Sequence, residues 1–171
     1  MITLVTGSPG AGKTLWTVKH LVDEVIPSGR PVVTNIDGFT HDAENVLVVP
    51  HGDDVPFRYE DYEDGTVFVF DEVQRHYPPR HATAKVPNHI AGYQTHRHRG
   101  FDFFFITQGP KLIDRALWDL IENHVHLFRS FGMKSSKLYR WNAVNESPQP
   151  PMTKGTSLTS NFAFPVKYFQ F

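Results

Sequence analysis

The chain contains no cysteine. That excludes disulfides and thiolate-based zinc sites. No stretch approaches the about 18 consecutive apolar residues of a membrane-spanning helix. No internal repeat is visible. No G-x-G-x-x-G fingerprint is present, which argues against a dinucleotide enzyme. Charge of one sign is not in excess either: 17 Lys and Arg face 18 Asp and Glu, for a formal net charge of -1. The global basic field of a nonspecific nucleic-acid binder is therefore missing, and any contact with nucleic acid would be local. The first residues read as a strand, not as a secretory leader.

What remains is an ordinary globular chain of 171 residues, 40% hydrophobic and rich in aromatics, with 14 Phe. That length suits one domain with a real core. The expectation is a single domain over residues 1–171.

The densest chemistry lies near the start. Gly7-Ser8-Pro9-Gly10-Ala11-Gly12-Lys13-Thr14 matches G-x-x-x-x-G-K-[ST], the P-loop or Walker A pattern. Glycines admit positive φ, so successive N–H groups can turn inward and form an anion cradle. Lys13 is placed to reach the β- and γ-phosphates, and the Thr14 hydroxyl to ligate Mg²⁺. The following helix directs its positive N-terminus to the same phosphates, with Leu15 completing the candidate nucleotide-binding run. Context supports the motif. Ile2–Thr6 is a β-branched apolar run suited to a buried strand. Apolar residues at 15, 18, 21, 22, 25 and 26 have helical spacing, stopped by Pro27 and Gly29.

A second motif complements it. Val67-Phe68-Val69-Phe70 ends in Asp71-Glu72, a Walker B pattern. Asp71 is the candidate Mg²⁺ residue. Glu72, one position on, is placed to orient and deprotonate a water attacking the γ-phosphate, which points to hydrolysis rather than transfer to an acceptor. Phe103-Phe104-Phe105-Ile106 ends in Thr107-Gln108. Gln108 or Thr107 is a candidate polar sensor of the γ-phosphate; alternatively Gln108 only opens the turn at Gly109-Pro110. In His96-Arg97-His98-Arg99, Arg97 or Arg99 is a candidate finger on a neighbouring subunit's nucleotide, or else a solvated helix end. Arg75, Arg80 and Arg115 are weaker candidates. His96 and His98 do not share a helix face and make no zinc site.

Further strands are expected at 31–36, 46–49, 66–70 and 102–107, helices at 87–98 (Asn88 a possible cap) and 113–121. A hairpin is expected from 125–131 and 137–144 through Gly132. Residues 51–65 and 145–161 read as loop. Phe162–Phe171 reads as aromatic and strand-like and stops abruptly, as if cut from a longer protein. Alternating strands and helices imply an α/β fold, a mostly parallel sheet covered on both faces.

These motifs, with Val33-Thr34-Asn35-Ile36, Asp71-Glu72-Val73-Gln74-Arg75, His96–Asp102 and Ile106-Thr107-Gln108-Gly109-Pro110, resemble the Zot (zonula occludens toxin-like) family across nearly the whole chain. The resemblance implies the cytoplasmic N-terminal P-loop domain of a filamentous phage assembly ATPase. It implies a three-layer additional-strand P-loop NTPase, FtsK/HerA-like, with strand 102–107 between the first strand and the Walker B strand, and a C-terminal β-hairpin extension. It further implies ATP and Mg²⁺ as cofactors, a homo-oligomeric ring, other phage assembly proteins as partners, and a bacterial inner-membrane anchor outside these residues. Nothing in these residues supports toxin activity. A nucleotide or small-metabolite kinase and a nucleotide-gated binding module are the alternative readings.

Overall fold

The computed structural model describes residues 1–50, 58–81, 83–149 and 157–168. Its strands are β1 (Ile2–Gly7), β2 (Val32–Thr34), β3 (Val46–Val48), β4 (Val67–Phe70), β5 (Asp102–Ile106), β6 (Asn123–Phe128), β7 (Ser135–Trp141) and β8 (Leu158–Ala163). They form one sheet in the order β3-β2-β4-β5-β1-β6-β7-β8. The pairs from β3 through β6 are all parallel. β7 and β8 add on antiparallel. β5 lies between β1 and the Walker B strand β4, as the resemblance implies.

The apolar runs of β4 and β5 are continuous because both sheet faces are covered. Alternation then sorts the side chains. Val67, Val69, Phe104 and Ile106 join one core with Val5, Leu15, Val18 and Leu21, under helix α1 (Lys13–His20). Phe68, Phe70, Phe103 and Phe105 face the other way, into Tyr59, Tyr77 and Tyr93. There Phe68 and Phe103 stack at 4.9 Å, and the Tyr77 and Tyr93 hydroxyls meet at 2.7 Å. The phenylalanines of 101–105 are core, each under 5% exposed.

Several local expectations change. α1 begins at Lys13 and widens into a π turn at Leu21–Val25 before Gly29 stops it at φ 78°. In 87–98 only α2 (Asn88–Ala91) is α-helical; Gly92–Arg99 winds as 3₁₀. Gly92 weakens α propensity at that junction, and a Cβ there would come within 2.6 Å of the Tyr59 hydroxyl. Pro87, not Asn88, takes the cap position. The segment 113–121 is a 3₁₀ turn at Arg115–Leu120, capped by Asp114 accepting from Ala116 N–H at 2.9 Å.

The largest miss is β8, expected as loop up to residue 161. Of its residues only Phe162 is buried, so it carries no hydrophobic alternation. Backbone pairing to the edge of β7 (Leu138↔Ser160, Ser136↔Phe162) decides it instead. Val166–Tyr168 is a tight turn rather than a strand. Residues 51–57 and 150–156 of the expected loops, and 169–171 of the expected strand-like end, lie outside the described residues. Among the described residues no helix is long and apolar enough to cross a membrane.

Candidate nucleotide site

Parallel strands bring their carboxyl ends to one edge of the sheet, and the candidate motifs converge there. At the end of β1, Gly7 has φ 153°, and a Cβ would lie 2.5 Å from the Leu127 carbonyl oxygen. The strand can turn there only as glycine. Gly10 and Gly12 also take positive φ. Ala11 N–H closes the loop on the Ser8 carbonyl at 3.1 Å. Ser8, Pro9 and Gly10 are exposed at its rim, Ala11 is buried beneath, and Gly12 starts α1. No acidic residue occupies the first turn, so the positive end of α1 is left for a ligand.

Lys13 Nζ donates to the Gly7 and Ser8 carbonyls at 3.0 and 3.3 Å. Burial pushes its pKa down, against the pull of Asp71 and Glu72. Thr14 Oγ1 donates to Asp71 Oδ2 at 3.0 Å, and Glu72 N–H donates to Asp71 Oδ1 at 2.8 Å. Burial still raises the Asp71 pKa despite these donors. A desolvated carboxylate beside a hydroxyl is a donor set that fits a hard cation such as Mg²⁺.

Glu72 is the one non-glycine residue with positive φ among the described residues, at φ 50° and ψ 42°. Such a conformation costs about 1 kcal/mol or more and marks a held residue. Gln74 Nε2 donates to Glu72 Oε2, while Gln74 Oε1 is buried without a partner. Thr107 is buried with an unpartnered hydroxyl. Gln108 is exposed, and its carbonyl accepts from Gly7 N–H at 3.3 Å. Both residues therefore stand between the P-loop and Asp71.

Arg97 and Arg99 lie elsewhere. Arg97 pairs with Glu122 at 3.0 Å, just before β6. Arg99 pairs with Asp64 at 2.6 Å and donates to the Glu60 and Tyr62 carbonyls. Both positions are at the amino ends of the strands, so neither side chain reaches this chain's own P-loop. Arg80 is engaged by Asp114 and Arg115 by Glu146.

Other residues were given no role by the sequence reading. Asn35 clamps the Walker B turn: its Oδ1 accepts from Asp71 N–H at 2.6 Å and its Nδ2 donates to the Asp71 carbonyl at 3.2 Å. A buried Asn ending an apolar strand was the available signal. Arg129, after β6, donates to the Gly10 carbonyl at 3.1 Å. Under the loop, Thr6 Oγ1 bonds His124 Nε2 and His126 Nδ1 at 2.7 and 2.8 Å. Burial lowers these histidines to about 3 and about 4, so both are neutral near pH 7. A cavity of about 570 Å³ opens beside Gly10, Gly12, Lys13 and Thr14.

A parallel sheet with this loop, this helix and this carboxylate pair defines a P-loop NTPase fold. The family model for zonular occludens toxin (Zot) matches residues 1–170, and the chain belongs to that family. It is 35% identical to the ORF301 protein of Pseudomonas phage Pf3, which carries an assembly-protein name; the match takes in 100% of this chain and 57% of that relative's length. The N-terminal domain of zonular occludens toxin from Neisseria meningitidis superposes with a TM-score of 0.79 at 30% identity, over 99% of this chain and 97% of that one. The fold also matches the genome-packaging NTPase B204 of Sulfolobus turreted icosahedral virus 2, solved with ATP-gammaS (TM-score 0.64, 13% identity, 96% and 98% covered).

Proposed function

We propose that this domain binds and hydrolyses ATP with Mg²⁺ and so powers assembly and extrusion of a filamentous phage. The observation that carries hydrolysis is Glu72, held in a rare backbone conformation one residue beyond Asp71, across from Thr14 and Lys13. The loop N–H groups and Lys13 bind the phosphates, Lys13 leaving the Gly7 and Ser8 carbonyls to do so. Thr14 and Asp71 would hold Mg²⁺, whose bound charge offsets that building on the phosphate oxygens. Glu72 orients a water and accepts its proton as the oxygen bonds to the γ-phosphorus. The bond from that phosphorus to the bridging oxygen breaks, leaving ADP and phosphate. Gln108 would hold the water or the γ-phosphate.

The name of the Pf3 relative supports the assembly role. In the longer protein we place this domain on the cytoplasmic side of the bacterial inner membrane, in a homo-oligomeric ring with other phage assembly proteins. Arg97 or Arg99 would serve a neighbour's nucleotide there. The test is steady-state ATP hydrolysis with and without Mg²⁺. Glu72→Gln is expected to keep ATP binding and lose about 10²- to 10³-fold in turnover. Normal turnover by that variant would remove Glu72 as the base.

A further inference from the structure

After β8 the chain crosses back over the P-loop as a strap, residues 164–168. The Phe164 ring sits against Gly12: a Cβ on Gly12 would lie 2.8 Å from its Cε1. Phe164 N–H donates to the Lys134 carbonyl at 3.1 Å. The Arg129 guanidinium stands 5.1 Å from the Phe164 ring centroid while also bonding the Gly10 carbonyl. At its far end the strap is tied to the helix that follows the P-loop. The buried Tyr168 donates its hydroxyl to Asp23, and Lys167 Nζ lies 3.5 Å from the same carboxylate. The cavity beside the loop is therefore two-sided. Leu15, Phe164 and Val166 give it an apolar wall, and Lys13, Arg129 and Lys134 give it cationic groups. Among the described residues none that lines it is acidic.

We infer that this strap seats the nucleoside half of the ligand, with the base packed on Phe164 and Val166 and the phosphates running to Lys13. The inference rests on the nucleotide reading above and extends it to residues outside the Walker motifs. An aromatic ring beside an arginine is a stacking platform for any base. A wall built this way recognises the ring face, whereas the P-loop recognises only phosphate. The two halves of the site are thus separable by ligand.

The test is calorimetric titration of the chain with Mg-ATP and, separately, with Mg-tripolyphosphate, which has the phosphates without the nucleoside. Phe164→Ala and Phe164→Leu are expected to weaken ATP binding about tenfold and to leave tripolyphosphate within twofold. Phe164→Leu retains apolar bulk against Gly12, so it decides the matter if the alanine variant does not fold. Lys13→Ala is expected to lose both ligands. ATP binding within twofold of wild type in folded Phe164→Leu would overturn the inference while leaving the P-loop reading intact. An equal loss of both ligands, or wild-type protein binding tripolyphosphate as tightly as ATP, would overturn it in the same way. Wild-type protein that binds neither ligand would overturn both readings together.

Discussion

Asp71 and Asp102 sit at opposite ends of neighbouring strands and are treated oppositely by the fold. Asp71 follows β4 at the carboxyl edge of the sheet, and burial raises its pKa. Asp102 opens β5 at the amino edge. Burial would raise it too, but the chain's amino group at 2.7 Å and Arg30 at 2.6 Å pull it below the ordinary value. The contrast extends to their surroundings. At the amino edge charges are paired: Arg97 with Glu122, Arg99 with Asp64. At the carboxyl edge two buried polar atoms lack hydrogen-bond partners (Thr107 Oγ1, Gln74 Oε1), against His96 Nε2 at the amino edge, and Glu72 is strained. A fold leaves local conflicts of this kind where a ligand is to resolve them. The amino edge gains stability from its ion pairs, while the desolvated Asp71 and the Glu72 backbone cost stability at the carboxyl edge.

Four substitutions break or sharpen that contrast. Lys13→Ala has the largest expected effect, a loss of ATP affinity of about a hundredfold, or about 2.7 kcal/mol, in calorimetric titration. Asp71→Asn comes next and should separate function from stability. A raised folded pKa means that the folded state binds the proton more tightly than the unfolded one. Stability therefore falls as pH rises through the window above 3.8, and the ionised carboxylate works against the fold at pH 7. Asp71→Asn should lose metal-dependent nucleotide binding yet melt about 2–4 °C higher at pH 7 without ligand. That gain should shrink as the melts are repeated at lower pH; a variant that melts lower at neutral pH would refute the strain reading.

Asp102→Asn should do the reverse, lowering stability by about 1–2 kcal/mol with ATP affinity unchanged. Its depressed pKa contributes stability above 3.8 that disappears as pH falls through the lower folded value. Denaturant titrations of wild type and variant should accordingly converge in acid. The smallest effect is expected from Arg97→Ala. Its pair with Glu122 is exposed, so the stability change should stay under about 1 kcal/mol. If Arg97 serves a neighbour's nucleotide, wild-type turnover per chain should climb with protein concentration and the variant's should not. Equal turnover at every concentration would confine Arg97 to the amino edge.

The candidate phosphate cradle was legible because its pattern is local. Gly7, Gly12, Lys13 and Thr14 must occupy one short loop, and Asp71-Glu72 must follow one strand. The buried strands β4 and β5 were legible for a similar reason, since continuous apolar runs have few other uses. β8 was not, because a solvent-facing edge strand carries no apolar alternation and forms by pairing with β7. Arg129 reads as one more residue in a strand until β6 is known to lie parallel beside β1, which carries its end to Gly10. Asn35 was visible in a motif, but its grip on the Asp71 peptide depends on β2 adjoining β4.

The sequence alone determined the P-loop at Gly7–Thr14 and the carboxylate pair that follows β4, because short-range backbone geometry and chemistry allow little else. Only the tertiary structure decided which cations share that edge. It carried Arg129 and the strap of Phe164 to the loop and left Arg97 and Arg99 at the far end of the strands. That choice rests on strand order and direction, which long-range packing and backbone pairing set and no local pattern encodes.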